Sequence, residues 1–385
     1  MYGIIREIFK GEYMQEINEF YEVAMNPMDY ARRIKGQGRK IAGFFCSYTP
    51  EEIIQAAGFH PMRIFGSKED ISAADAHLQA YCCSLARGAL ADMLDKRLDF
   101  LDATVFPHSC DTMQRLSDIW RINSEYEGFF DVVLPVKLNT QTSVDYMMAV
   151  LAKFRREFEK TFSLKISDNA LEEAIDVFNR IRTSLRAVYE MHSKSPGLIS
   201  ARDIYALTRG SMVMDRGLAA DMLEKIVDQL ASQTDNVAKS SGKRIVLSGS
   251  IIDSPEIYDF LSRSGASVVW DDLCTGSRYF EGLVSTQKAP MEAIAERYMS
   301  RLICPAKHMS ITKRAEDTIR MVQDNDARGV IFLFLKFCDP HSFDYPYIRD
   351  ALKDKGIPSM LFEMEDKLPS EGQLMTRFET FMEII

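Results

Sequence analysis

Short apolar runs alternate with helix-like stretches in two separate parts of the chain, and that alternation leaves few folds open. Between residues 40 and 140 the order is strand, helix, strand, helix, strand, helix, strand. Ile41 to Phe45 is the first run, and Thr49-Pro50-Glu51-Glu52 opens a helix with proline at its first position and acids behind it. Met62 to Phe65 is a second run, and residues 73–97 carry one helical pattern ending in basic residues. Residues 100–106 form a third strand, the segment after Cys110 a helix, and Phe130 to Leu138 a fourth strand. Strands that alternate with helices favour a parallel sheet covered by helices.

The middle of the chain loses this alternation. From about residue 144 to 240 it is mostly helical, with Leu171, Ala174, Ile175, Phe178, Ile181, Leu185 and Val188 holding one face. SKSPGLIS breaks that helix, further helices follow at 203–214 and 217–232, and the polar run SQTDNVAKSSGK serves as a linker. Alternation then resumes with strands in KRIVLSGS, ASVVWDDL, RGVIFLFLKF and IPSMLFEM. Helices lie between them, around 290–302 and 312–325 among others, and EGQLMTRFETFMEII closes the chain. The expectation is an N-terminal α/β domain at 1–143, a helical segment at 144–240 and a C-terminal α/β domain at 241–385.

Composition narrows the function. Of the 385 residues, 46% are apolar and 27% charged, an ordinary globular balance. The net charge of −9 argues against nucleic acid, whose footprint is a basic surface. No run of 18 apolar residues occurs and the N-terminus lacks a secretory profile, so the expectation is a cytoplasmic protein with no membrane partner. Seven cysteines, an odd number scattered over a long chain, do not make a disulfide framework. In a reducing compartment they are buried thiols, metal or cluster ligands, or nucleophiles.

Two of them stand in equivalent places. TVFPHSCD puts Cys110-Asp111 just beyond an apolar strand and before a helix, and IFLFLKFCDP does the same for Cys338-Asp339. A thiol there is favoured as thiolate by the helix N-terminus, and ligands of open α/β sheets bind at that edge. Asp111, Thr112 and Asp339 are candidate helix caps. A third thiol, Cys82 or Cys83, lies on the helix before the first of these strands. Three thiolates from separate elements suit three irons of a [4Fe–4S] cluster, with the fourth iron open to substrate or hydroxide. Spacing alone leaves three ordinary buried thiols as the alternative, because no C-x₂-C motif is present.

Several long segments carry a resemblance. FCSYTPEEIIQAAGFHPMRIFG, ADAHLQAYCCSLARGAL, LDFLDATVFPHSCDTMQRLSDIWR, FCDPHSFDYPYIRDALKDKGIPSMLFEMED and LPSEGQLMTRF, in this order, resemble the family of 2-hydroxyacyl-CoA dehydratase and benzoyl-CoA reductase subunits over nearly the whole chain. The resemblance implies two flavodoxin-like (Rossmann-like) parallel-sheet domains with additional helices. It implies a [4Fe–4S] cluster on Cys83, Cys110 and Cys338, with Cys83 selected over Cys82 by its place 27 residues before Cys110. It also implies a heterodimer with a homologous second subunit, an acyl-CoA substrate and a separate ATP-dependent iron–sulfur activator that delivers one electron. In the dehydratases that electron gives a ketyl radical of a 2-hydroxyacyl-CoA, which loses water to yield the 2-enoyl-CoA. This chain has no Walker-type phosphate loop of its own, in keeping with ATP use by another protein. The alternatives are a subunit of an ATP-dependent benzoyl-CoA reductase, a non-catalytic electron-relay subunit, and a homodimer with a fused, double-cubane-type cluster. The last would gain if Cys46 proved to be a ligand.

Other residues divide between site and scaffold. Cys46 and Cys274 each follow a strand end, whereas Cys304 before Pro305 is expected to be structural. Asp271, Asp272 and Arg278 either bind substrate, brace the cluster surroundings or are solvated loop charges. His108 and His341 flank cluster cysteines and are candidates for a hydrogen bond to a cluster sulfur or a proton shuttle, set against ordinary loop histidines. Glu51 and Glu52 are expected to serve the helix dipole. Ser47 is a weak candidate for substrate, and the basic run Arg32, Arg33, Lys35, Arg39, Lys40 is expected to be a solvated linker rather than a phosphate site.

Overall fold

The computed structural model describes residues 14–67, 70–233, 242–301, 303–310, 312–364 and 368–385. Two four-stranded, all-parallel sheets organise them. The first holds β1 (Ile41–Phe44), β2 (His60–Arg63), β3 (Ala103–Pro107) and β4 (Gly128–Val132), in the order β2-β1-β3-β4. The second holds β5 (Lys243–Gly249), β6 (Ala266–Asp272), β7 (Gly329–Leu335) and β8 (Ser359–Met364), in the order β6-β5-β7-β8. The fold is α/β, and the two sheets repeat one topology. In each, the chain runs outward from the first strand to one edge, then returns to build the other side. The gap between the first and third strands is therefore the switch point, where ligands of such sheets bind.

β1, β3 and β7 are buried on both faces, which is why they are continuous apolar runs, whereas the edge strand β4 alternates. β5 and β7 approach too closely for a side chain at Gly249, where a Cβ would lie 1.9 Å from the Leu333 carbonyl oxygen. One apolar core joins the two sheets, running from Phe45, Met62 and Leu90 through Tyr205, Leu223 and Leu247 to Phe362. A second fills the far face of the first sheet, and a third the far face of the second sheet.

Helices fix the sheets to each other. α1 (Met14–Met25) and α2 (Pro27–Gly36) precede the first sheet, and α3 (Glu51–Ala56), α4 (Ser72–Asp75), α5 (Ser84–Leu94) and α6 (Asp111–Asn123) lie within it. α7 (Gln141–Phe162), α8 (Asp168–Lys194), α9 (Ala201–Ser211) and α10 (Arg216–Ala231) make the helical middle. α11 (Glu256–Arg263), α12 (Ser277–Phe280), α13 (Pro290–Ser300), α14 (Lys313–Asp324), α15 (Asp339–Asp354) and α16 (Glu371–Ile384) belong to the rest. Ser167 caps α8 by accepting the Ala170 amide. That helix packs on α3 of the first half and on β6 and α12 of the second. α13 packs on α7, and its Ala293, Ile294 and Tyr298 enter the core behind the first sheet.

Three local expectations shift. The single helix expected over 73–97 is two, α4 and α5, separated by a turn that includes the Cys82 amide bonded to the Gln79 carbonyl. The apolar spacing of Leu78, Cys82, Ala86 and Ala89 runs through that turn, so periodicity hides it. The fourth strand ends at Val132, and beyond it Lys137 makes an isolated parallel bridge to His308. α15 begins at Asp339, five residues before the expected start, directly behind its thiol. Most of the expected linker, residues 234–241, lies outside the described residues.

Candidate functional site

Cys110 follows β3 and Cys338 follows β7, the equivalent third strands of the two sheets. Each thiol residue is itself the N-cap of the next helix, as is Cys83 for α5. The aspartates expected to cap occupy the first helical position instead, and Asp111 points to solvent beside Arg115, 3.7 Å away. The amide of the third helical residue, Ala86, Met113 or His341, faces its thiol in each case. None of the three makes a capping hydrogen bond of normal geometry. A close glycine contact seats α5: a Cβ on Gly88 would meet the Ser67 carbonyl oxygen at 2.3 Å.

The three thiols act on one another. Cys83 raises the thiol pKa of both Cys110 and Cys338, and Cys110 raises that of Cys338. Burial is the larger effect and pushes Cys110 up to about 12. The expected thiolate therefore does not form in the protein alone, because desolvation outweighs the helix amides. Burial raises the Cys82 thiol too, and Thr112 acts against that rise.

A second set of thiols adjoins the first. Cys46 follows β1, Cys274 follows β6, and Cys304 lies beyond α13. The Cys304 thiol hydrogen-bonds to Cys274 and brings it down to about 7, with the charges of Arg278 and Arg63 assisting against burial. Arg278 Nη1 lies 3.2 Å from Cys274 Sγ. Cys46 and Cys304 act on Cys110, and Cys304 also on Cys338, so the six thiols form one electrostatic neighbourhood. Cys304 is buried, as a structural thiol should be, yet it belongs to this set. Among the described residues no three His, Cys, Asp or Glu side chains stand close enough to hold a single metal ion.

Backbone strain marks both sets. Cys46 (φ 60°) and Phe337 (φ 66°), the residue before Cys338, are left-handed without being glycine. Next to Cys83 a narrow cleft between the strand ends is lined by Phe65, Ser84, Leu85, Ile251, Leu335 and Met364.

The remaining candidates form the frame. Arg278 is fully buried, with Nε 2.5 Å from Asp272 and Nη2 bonded to the Gly249 and Asp272 carbonyls. Asp272 is held well below the usual carboxylate range against its burial by Arg278 and Arg314. Asp271 accepts from the Tyr189 hydroxyl at 2.7 Å and the Ser277 amide at 2.7 Å, and burial raises it to about 6. These three residues brace the corner that presents Cys274. His341 is buried against Phe334, and desolvation drives its pKa well below the ordinary value, so it is neutral. His108 Nε2 lies 2.9 Å from Asp131 Oδ1, an acid that also takes Arg121 at 2.6 Å.

Glu51 and Glu52 stand in the first turn of α3, where they were expected, and do more than serve its dipole. Both are buried: Glu51 pairs with Arg216 at 2.9 Å and Glu52 with Arg182, tying α3 to α10 and α8. Ser47 is also internal and accepts Arg301 Nη2 at 2.8 Å. The basic run is paired instead of free: Lys35 with Asp102 at 2.6 Å, Arg39 with Asp215, and Arg32 with Asp29 at 3.1 Å. Sequence reasoning gave Cys304 a scaffold role and did not single out Arg63, Arg301 or Lys307, because a basic residue inside a strand or loop carries no local signal of burial.

A cavity of about 580 Å³ opens between α8, β6 and α14, lined by Arg186, Glu190, Trp270, Arg301, Lys313 and Arg320 among others. Several of its charges are paired, Arg186 with Glu281 and Lys313 with Asp317. No helix among the described residues is long and apolar enough to cross a membrane.

Comparison with known proteins gives one consistent answer. Residues 46–385 match the family described as 2-hydroxyglutaryl-CoA dehydratase, D-component. The chain is 26% identical over 369 residues to the (R)-phenyllactyl-CoA dehydratase beta subunit of Clostridium sporogenes, covering 96% of this chain and 98% of that one. It is 28% identical over 359 residues to a subunit of the benzoyl-CoA reductase of Thauera aromatica, covering 90% and 91%. It is 26% identical over 376 residues to the (R)-2-hydroxyglutaryl-CoA dehydratase subunit beta of Acidaminococcus fermentans, covering 95% and 98%.

Proposed function

Because the chain belongs to the 2-hydroxyglutaryl-CoA dehydratase D-component family, we propose that it is the iron–sulfur subunit of a 2-hydroxyacyl-CoA dehydratase. In this reading Cys83, Cys110 and Cys338 hold the cluster. The supporting observation is that three thiols from separate elements converge with other thiols, burial and backbone amides as the largest influences on them. Left alone, such a set is held protonated by desolvation and mutual repulsion. A metal reverses that balance, since binding releases the thiol protons. A polynuclear group would not need a single-ion site, which the described residues lack, since each thiolate of a cubane takes a different iron.

When bound, the cluster would supply one-electron transfer and an open iron for an oxygen ligand. The chain's own residues would fix the three thiolates at helix N-termini and keep the surroundings dry. Asp271, Asp272 and Arg278 would hold the adjoining corner rigid. A homologous second subunit and a separate electron-delivering activator complete this proposal, with an acyl-CoA as substrate.

One observation favours a second reading, a homodimer with a fused, double-cubane-type cluster. Cys46, Cys274 and Cys304 share the neighbourhood of the first three thiols, which gives six candidate ligands in one chain. Iron analysis after anaerobic reconstitution separates the readings. About four irons per chain, lost in Cys83→Ala, Cys110→Ala and Cys338→Ala but kept in Cys46→Ala, fits the three-thiol site. About eight, with loss in the Cys46, Cys274 and Cys304 variants as well, fits the fused cluster. A chain that takes up no iron would sink both. For the reaction, the reconstituted complex is tested on 2-hydroxyacyl-CoA thioesters and on benzoyl-CoA, and turnover of benzoyl-CoA alone would replace dehydration by ring reduction.

A further inference from the structure

The two sets of thiols differ in their charges. Around Cys83, Cys110 and Cys338 the strongest influences are burial, amides and neighbouring thiols. Around Cys46, Cys274 and Cys304 stand Arg278, Arg63 and Lys307. Arg278 has its carboxylate in Asp272. Arg63 does not. It ends β2, paired in register with Phe44 two residues before Cys46, and it is 2% exposed. Its Nε and Nη1 have no hydrogen-bond partner, and no carboxylate among the described residues lies within ion-pair distance of it. Arg182, Arg216 and Arg314, also buried, are each paired with an acid, and Arg297 and Arg301, which lack one among the described residues, donate to the carbonyl oxygens of Gly282, Tyr279 and Ser47.

More donors are left open nearby. Among the described residues the buried Tyr48 hydroxyl and Arg301 Nε have no hydrogen-bond partner, and 4.3 Å separates the Tyr48 ring centre from the Arg301 guanidinium. Lys307 is buried, with Nζ 3.2 Å from the Leu134 carbonyl oxygen and 5.4 Å from the centre of the Tyr48 ring, and no carboxylate among the described residues pairs with it. An unpaired buried guanidinium is costly, and a bound anion that accepts its N–H groups removes the cost.

We propose that Arg63, backed by Lys307, holds an anion against the Cys46, Cys274 and Cys304 thiols. The inference rests on reading the cleft as a thiol-ligand site. The shared chemistry is a negatively charged acceptor of N–H hydrogen bonds, with two sources: an iron–sulfur cluster, whose sulfides and thiolates accept such bonds, or a free small anion. Arg63 is then a positioning residue that sets where negative charge settles in the cleft. Hydrogen bonds and charge near cluster sulfurs move reduction potentials.

The test uses the full chain, prepared anaerobically, as wild type, Arg63→Leu and Arg63→Lys. After reconstitution with iron and sulfide, the expected result is equal iron content in all three. The EPR signal of reduced Arg63→Leu moves to more negative potential, and Arg63→Lys recovers most of the shift. In the iron-free chain the probe is bromide, and soaked wild-type crystals show an anomalous peak within hydrogen-bond distance of the Arg63 guanidinium that Arg63→Leu loses. A potential shift without a bromide peak assigns the anion to the cluster, and a bromide peak without a shift assigns a free anion. Absence of both overturns the proposal. A wild-type chain that takes up no iron overturns the cluster reading, and the bromide arm then decides Arg63 by itself.

Discussion

At the scale of single residues, strain and buried charge collect around the thiols. Cys46 and Phe337 hold left-handed backbone that costs an L residue roughly 1–2 kcal/mol each. Both stand at the strand-end turns that aim a thiol into the cleft. Asp271 adds a titrating cost. Its carboxyl, raised by burial to about 6, binds a proton in the folded chain at pH values where the unfolded chain has lost it. Its contribution is therefore full below about pH 4 and disappears as pH rises through about 6, a swing of about 3 kcal/mol. Urea midpoints at pH 4.5, 5.5 and 6.5 should fall less with rising pH in Asp271→Asn than in wild type. Equal slopes would remove Asp271 as the cause. The positions of Cys110 and Cys338 were legible from an apolar run followed by Cys-Asp and a helix. The burial of Glu51 and Glu52 was not, because their partners Arg216 and Arg182 lie more than a hundred residues away.

At the scale of elements, the cap residue is the informative position. A serine at an N-cap accepts an amide well, whereas the three thiols here make no such bond of normal geometry. Cys110→Ser should therefore leave the iron-free chain equally stable or up to about 1 kcal/mol more stable, while iron content falls. Thermal melts with and without reconstitution check the opposite signs, and a clear destabilisation of the iron-free chain would mean that Cys110 serves the fold. The cap itself escaped sequence reading, since aspartate is the better capping residue by propensity and stands one position later. What placed the thiol there is the end of β3 or β7, where the extended chain turns and the helix starts at once.

For the whole molecule, two sheets of one topology are locked together rather than strung in series. The continuous core, α8 across both halves and α13 behind the first sheet join the two sheets, and only the far face of the second sheet keeps a core of its own among the described residues. Calorimetry of the iron-free chain should give one cooperative transition, and two resolved transitions would show that each sheet unfolds separately. The alternation of apolar runs determined the α/β class, the two parallel sheets and the placing of thiols beyond strand ends, because strand burial and helix periodicity are local in sequence. Only the tertiary structure decided that six thiols share one neighbourhood, that one set stands among cations, and that Arg63 is buried with open donors. Those properties are sums over groups brought together from β1, β2, β3, β6, β7, the start of α5 and the turn after α13. No spacing along the chain records such distances.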